Sequence, residues 1–317
     1  MASWQAHVAA WVVKWRVKRK LRGVRDYKAS RKILRPDPYT VPPGVQITSA
    51  QVGGVGGEWL EASATEKQNA PPDSVLLYLH GGGYFGCSAE THRPITAWFA
   101  HRGFRVFAPN YRLAPENPFP AAVEDAVAVY KGLLDAGNAP DKIVVAGDSA
   151  GGGLALSMML TLRARGIALP AAAALFSPWT DLAATGESIV RNSERCAMFN
   201  GPDIAPSAKL YLRETDPRDP IASPLYADLS GLPPLLIHVG ANEVLLDDST
   251  RLAEKAWKAN VAAELKVWPV VPHAWQLAPN KIPEARESLE ESTRFLSSRL
   301  AQIPKSDESA RTLPDGK

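Results

Sequence analysis

The sequence predicts an α/β fold, a mostly parallel central sheet covered by helices on both faces. Three observations carry this expectation. From Ser74 onward, short apolar runs alternate with longer segments of 3–4 periodicity, the pattern of parallel strands joined by right-handed crossovers. Runs such as "SVLLYLH" and "KIVVAG" are almost continuously apolar, as burial on both sheet faces requires. And "KIVVAG" leads through "DSAG" directly into a helical segment, a strand–turn–helix junction with Ser149 at its centre.

The first segment, "MASWQAHVAAWVV", places Trp4, Val8, Trp11, Val12 and Trp15 on one helical face, and residues 14–32 are rich in Lys and Arg. A secretory signal has the reverse order, so none is expected, and no apolar run approaches the roughly 20 residues that span a bilayer. The favoured reading is a helix that packs its aromatic stripe on the body and leaves its charges in water. Contact of this segment with a membrane or nucleic acid is the alternative. After Pro36 and Pro38, "VQITSAQV" and "GEWLEASA" read as strands joined by the turn "GGVGG". That turn is not a dinucleotide fingerprint, because the third spaced glycine and the following helix are missing. "ATEKQNAPPDS" is a polar loop.

The alternation then runs strand "SVLLYLH", helix "THRPITAWFAHRG", strand "FRVFAPN", helix "FPAAVEDAVAVYKGLLDAG", strand "KIVVAG" and helix "GGLALSMMLTLRARG". "AAAALFSPW", "PLLIHVG" and "AELKVWPV" are further strands, and "DSTRLAEKAWKAN" and "PEARESLEESTRFLSSRLAQ" further helices. Residues 183–222 break the rhythm with helical fragments at 188–195 and 204–212, and an insertion of that length is expected to act as a lid. The expected organisation is one domain: a core of 46–182 and 223–302, a cap from 1–45 and 183–222, and a disordered polar tail at 303–317.

With 317 residues, 45% hydrophobic and 22% charged, the composition is that of an ordinary globular protein. A net charge of +3 implies no polyanionic partner, so no nucleic acid is expected. Cys87 and Cys196 read as free thiols in a reducing cytoplasm, and no Cys/His spacing suggests a metal.

Ser149 lies in "GDSAG", where flanking glycines suit a strained turn and the following helix start favours a developing oxyanion. "LYLHGGGYFG" sets Gly81, Gly82 and Gly83 just after an earlier strand, a run whose backbone N–H groups are unobstructed, with His80 read as a loop-holding residue. Serine needs an imidazole to take its proton and a carboxylate to fix the imidazole's tautomer. Of the histidines, His7, His92, His101 and His238 read as structural, whereas His273 follows the last strand where the chain turns over the sheet edge. Glu243, Asp247 and Asp248 compete for the carboxylate. Glu243 is favoured by its place just past the strand end, Asp247 and Asp248 reading as N-terminal caps of the next helix. Tyr84, Phe85, Trp179 and Tyr211 are candidate pocket-lining residues, with core packing as the competing reading for Trp179 and Tyr211.

Together "HGGGYFG", "PNYRLAPENPFPAAVEDA", "GDSAGGGLA", "SPWTDL", "DPRDPIASPL", "VGANEVLLDDS" and "PHAWQ" resemble the hormone-sensitive-lipase-like carboxylesterases of the α/β-hydrolase superfamily, over residues 73–300. The resemblance implies Ser149 as nucleophile, His273 as base, oxyanion N–H groups from Gly82, Gly83 and Ala150, and a helical cap. It implies no cofactor, a small ester of short to medium acyl chain as substrate, and allows a homodimer. The family's usual aspartate is replaced here by Glu243, and Arg112, Glu116 and Asp125 are similar to residues with scaffold roles. A non-catalytic receptor on the same scaffold, or an amidase or acyltransferase using the same residues, are the competing functions.

Overall fold

The N-terminal segment of the computed structural model is one run of helix: α1 (Trp4–Val13) continues through a π-helical turn, Lys14–Lys18, into α2 (Arg19–Leu21), and α3 (Tyr27–Leu34) follows. Described residues are 2–23, 26–35, 39–63 and 70–300; the tail at 303–317 lies outside them. Then come β1 (Val45–Val52), β2 (Val55–Ala62), β3 (Val75–Leu79), α4 (Arg93–His101), β4 (Arg105–Pro109), α5 (Ala121–Asp135), β5 (Ile143–Asp148), α6 (Ala150–Ala164) and β6 (Ala173–Phe176). The 183–222 insertion carries α7 (Ser188–Arg191) and α8 (Ile204–Leu212), and β7 (Leu235–Gly240), α9 (Leu246–Lys258), β8 (Ala263–Trp268) and α10 (Pro283–Leu300) complete the chain.

The strands form one eight-stranded sheet in the order β1-β2-β4-β3-β5-β6-β7-β8. β1, β2 and β4 pair antiparallel, and β4 through β8 are parallel. Successive strand residues point to opposite faces. Leu77, Val145, Leu175 and Ile237 therefore pack with α5, α6 and α9, while Leu76, Val144, Ala174 and Leu236 pack with α4 and α10. In β3, β5, β6 and β7 both faces are buried, which is why these strands read as nearly unbroken apolar runs. The register pairs Leu79 with Gly147, Asp148 with Phe176, Phe176 with His238 and Gly240 with Trp268. Parallel strands that end at matched positions deliver the loops after them to a single edge.

Two sequence expectations change. The "GGVGG" turn is shorter than read: Gly53 (φ 58°) and Gly54 (φ 81°) make the turn alone, and Gly56 and Gly57 already belong to β2. A two-residue hairpin turn needs positive φ at both central positions and no more. The N-terminal stripe is also inverted. Trp4, Trp11 and Trp15 are 71%, 66% and 57% exposed, whereas Ala6 is completely buried. The small side lets the helix approach closely: Ala6, with Ala2 and Ala9, meets Trp268, Val271, Trp275, Ile282 and Ala285. Helical spacing fixes which residues share a face but not which face the body covers.

The hairpin yields a contrast between adjacent glycines. A Cβ at Gly54 would meet nothing within 4 Å, whereas one at Gly53 would lie 2.0 Å from the Ala128 carbonyl oxygen. Gly54→Ala should cost only the left-handed backbone penalty of about 1–2 kcal/mol. Gly53→Ala adds an overpacking term of about 1–3 kcal/mol and should be clearly less stable in urea denaturation.

Candidate active site

Ser149 sits between the end of β5 and the start of α6 with φ 53° and ψ −124°. Its N–H donates to the Phe176 carbonyl (2.8 Å), and its own carbonyl accepts from Gly153 (3.1 Å) and Trp179 (2.9 Å). The flanking glycines are demanded by space. A Cβ on Gly147 would lie 2.5 Å from the Gly151 carbonyl oxygen, and one on Gly151 2.0 Å from that of Leu79. With side chains there the strand, turn and helix could not stack as they do.

Beside the turn lies the glycine loop after β3. Gly82 and Gly83 have φ 120° and 64°. A Cβ on Gly82 would meet the Gly86 carbonyl oxygen at 2.2 Å. That loop closes on itself, with the N–H groups of Phe85 and Gly86 donating to the Gly82 carbonyl at 3.2 and 2.9 Å. Among the described residues, no acceptor takes the N–H of Gly82, Gly83 or Ala150, the last being at a helix start where no intrahelical partner exists.

A buried carboxylate ties this loop to the turn. Asp148 Oδ1 accepts from the Tyr78 hydroxyl (2.7 Å) and the Gly81 N–H (3.0 Å), and Oδ2 lies 3.3 Å from His92 Nε2. Burial alone would raise its pKa, but the His92 charge and these hydrogen bonds outweigh it and hold the group at about 2. His80 stacks on Tyr111 with ring centroids 4.2 Å apart, and its Nδ1–H donates to the Gly81 carbonyl at 2.8 Å. Burial, reinforced by His92, lowers its pKa to about 3, so it is a neutral bracket for the loop.

At the neighbouring strand ends, Glu243 and His273 meet. Glu243 Oε1 accepts from the Gly240 N–H and the Ser177 hydroxyl, both at 2.7 Å. Its Oε2 accepts from His273 Nδ1–H at 2.5 Å, and both side chains are buried. This bond assigns the proton to Nδ1 and leaves Nε2 an acceptor. His273 Nε2 is buried without a hydrogen-bond partner among the described residues. Phe199, from the insertion, packs edge-on against the imidazole with centroids 5.0 Å apart. Also from the insertion, Asn192 Nδ2 donates to the carbonyls of Ala241 (3.0 Å) and Glu243 (2.9 Å).

The competing acids are occupied elsewhere. Neither caps its own helix, since α9 begins after Leu245 without a side-chain cap. Asp247 Oδ2 instead accepts from the Ser188 N–H (2.8 Å) at the start of α7, and Asp248 Oδ2 from the N–H groups of Thr180 (2.8 Å) and Asp181 (2.9 Å). Burial, reinforced by Asp181, pushes the Asp248 carboxyl up to about 8.

The aromatic candidates are all buried in the larger core cluster. Tyr84 stacks on Tyr211 at 3.9 Å and lies 6.2 Å from Trp179. They join the glycine loop to α8. Arg31 of α3 grips the same loop from outside, donating to the Phe85 carbonyl, to the Ala114 carbonyl (2.9 Å) and to Glu116 (2.6 and 2.9 Å). Arg112 bonds Asp125 at 2.9 Å, a local scaffold contact. A surface cavity of about 520 Å³ adjoins Arg31, Gly86, Cys87, Thr91, Leu113 and Asn117 and is lined by none of the candidate site residues. Among the described residues, no group of three or more His, Cys, Asp or Glu is placed to hold a metal.

Sequence reasoning missed Ser177, Asn192 and Arg31. Ser177 was visible in "SPWTDL", but its bond to Glu243 spans 66 residues and only the sheet register creates it.

Residues 76–277 match the family described as having the alpha/beta hydrolase fold. The chain is 43% identical over 257 residues to an acetyl-hydrolase of Streptomyces hygroscopicus, covering 81% of this chain and 83% of the relative. To an esterase of Acinetobacter venetianus it is 37% identical over 258 residues, with the same shares covered. The crystal structure of an esterase from the bacterial hormone-sensitive lipase family superposes with a TM-score of 0.87 at 39% identity, over 95% of this chain and 99% of that one. The chain thus belongs to the hormone-sensitive-lipase-like carboxylesterases of the α/β-hydrolase fold.

Proposed function

We propose that the protein hydrolyses carboxylic esters of short to medium acyl chain through an acyl-enzyme formed on Ser149. The observation that carries this reading is the buried His273, its Nδ1–H fixed on Glu243 at 2.5 Å and its Nε2 free to accept, at the edge where Ser149 is presented. His273 Nε2 takes the hydroxyl proton as Ser149 Oγ attacks the ester carbonyl, and the imidazolium formed is stabilised by Glu243. Negative charge developing on the carbonyl oxygen is met by the N–H groups of Gly82, Gly83 and Ala150, helped by the start of α6. The carbon–oxygen bond to the alcohol then breaks, and the alcohol leaves with the proton from His273. In the second half His273 takes a proton from water, whose oxygen attacks the acyl carbon and releases the acid and Ser149.

Ser177 and Gly240 supply donors to Glu243 Oε1, which fixes the orientation of that carboxylate toward His273. Asp248 is a poor substitute, since its raised pKa leaves it largely protonated near neutrality. We read 183–222 as a cap: its Phe199 and Asn192 already touch His273 and the Glu243 backbone, and α8 stacks on the glycine loop through Tyr211. A cap over the site supports acyl groups of limited length. The free Cys87 and Cys196 accord with a reducing, cytoplasmic setting.

Ser149→Ala should lose p-nitrophenyl acetate turnover by on the order of 10⁶-fold with an unchanged circular dichroism spectrum. Near-wild-type turnover would overturn the mechanism. Glu243→Gln should lower kcat by on the order of 10⁴-fold. Asp247→Asn, which only weakens the hold on α7, should cost far less, and the reverse ranking would reassign the acid. Across acetate, butyrate, octanoate and palmitate esters, kcat/KM should peak before palmitate.

Asp248 also predicts a pH dependence of stability. Its folded pKa lies above the ordinary carboxylate value, so between about pH 4 and 8 the folded state keeps a proton that the unfolded state has released. Its contribution to stability is therefore lost as pH rises through that window. Asp248→Asn should gain stability relative to wild type as urea denaturation is moved from pH 5 to pH 8.

A further inference from the structure

The N-terminal helix turns its apolar face to solvent. Trp4, Val8, Trp11 and Trp15 are 71%, 48%, 66% and 57% exposed. At spacings of four, three and four they form one stripe, roughly 16 Å long at about 1.5 Å per residue. The helix cannot roll over to bury it. Ser3, its N-cap, donates through its N–H (2.6 Å) and hydroxyl (2.8 Å) to Glu284. At the far end Lys18 Nζ donates to the carbonyls of Ser193 (2.5 Å) and Cys196 (2.9 Å), and Lys14 to that of Glu194 (2.7 Å). The opposite, small-residue face is committed to the body through Ala6.

The charges that the helix itself carries are all of one sign, Glu194 and Glu284 lying where it meets the body. Arg16, Arg19, Lys20 and Arg22 are exposed, and no acidic residue precedes Asp26. We propose that this surface docks the protein on an anionic phospholipid bilayer. Indole rings favour the headgroup boundary, where the ring is desolvated and its N–H stays hydrated, and the cations meet anionic headgroups. A second copy fits poorly, because a two-fold contact would set one acid-free basic segment against another. No helix among the described residues is long and apolar enough to cross the membrane, so the contact is with one surface.

The helix rests on residues 193–196 of the insertion and on Trp268, Val271 and Trp275, which bracket His273. Docking therefore holds the site beside lipid. That advantage rests on the hydrolase reading; the docking does not.

The test is sedimentation of the full chain with phosphatidylcholine–phosphatidylglycerol vesicles and with phosphatidylcholine vesicles alone. Wild type should sediment with the former, less so at high salt, and weakly with the latter. A Trp4→Ser/Trp11→Ser/Trp15→Ser variant should lose at least about tenfold in partitioning. Arg19→Gln/Lys20→Gln should lose about fivefold per charge on the anionic vesicles only. Quenching of wild-type tryptophan fluorescence by brominated phosphatidylglycerol gives a readout independent of whether the triple variant folds. Absence of both sedimentation and quenching in wild type overturns the proposal, as does equal binding by wild type and a folded triple variant. A wild-type dimer that becomes monomeric in the triple variant, without vesicle binding, would overturn it in favour of self-association. None of these readouts uses turnover, so failure of the hydrolase reading leaves them interpretable.

Discussion

The backbone of Ser149, at φ 53° and ψ −124°, lies where an L-residue stays only when its surroundings leave it no alternative. The surroundings here are peptide groups: Phe176 accepts its N–H, while Gly153 and Trp179 share its carbonyl. Two of those partners come from or beyond the adjacent strand β6, so the turn is held by the parallel pairing of β5 with β6 as much as by its own sequence. Gly147 and Gly151 permit the conformation by leaving room, and the sheet enforces it. Everything else in the candidate site is arranged around that fixed point.

Asp148, one residue earlier, shows how the arrangement is made rigid. A buried carboxylate is costly unless its charge is compensated, and this one is met by Tyr78, Gly81 and His92. The donors lie on β3, on the glycine loop and at the start of α4. Moving any one of them strands a buried charge, so the loop and the turn keep one relative position. Such preorganisation matters where N–H groups must already point at a charge that exists only transiently. Arg31 adds an outer brace by tying Phe85, Ala114 and Glu116 to α3.

The central strands were legible because burial on both faces leaves a plain apolar signature, and Ile204–Leu212 was legible even inside the insertion. Ser149, the glycine run and the pairing of Glu243 with His273 could be placed because each lies just past a strand, where local pattern suffices. What stayed hidden depends on distant partners. Asp247 reads as a cap of its own helix, yet its carboxylate serves the start of α7, 59 residues away. Trp4, Trp11 and Trp15 read as a packing stripe because large aromatics usually are one, yet the neighbouring alanines permit the closer approach. Hydrophobic pattern ranks the faces of a helix by polarity, and close contact ranks them by size. At α1 the two rankings disagree.

The anchor of α1 has a consequence for how the chain is made. Ser3 and Glu284 are 281 positions apart. Ser3 is synthesised before every strand of the sheet, and its partner only after all of them. Through most of translation the alanine face of the helix has nothing to rest on, and both of its sides are open to other chains. α1 is thus made well before the surface it is seated on, and α10 completes that surface.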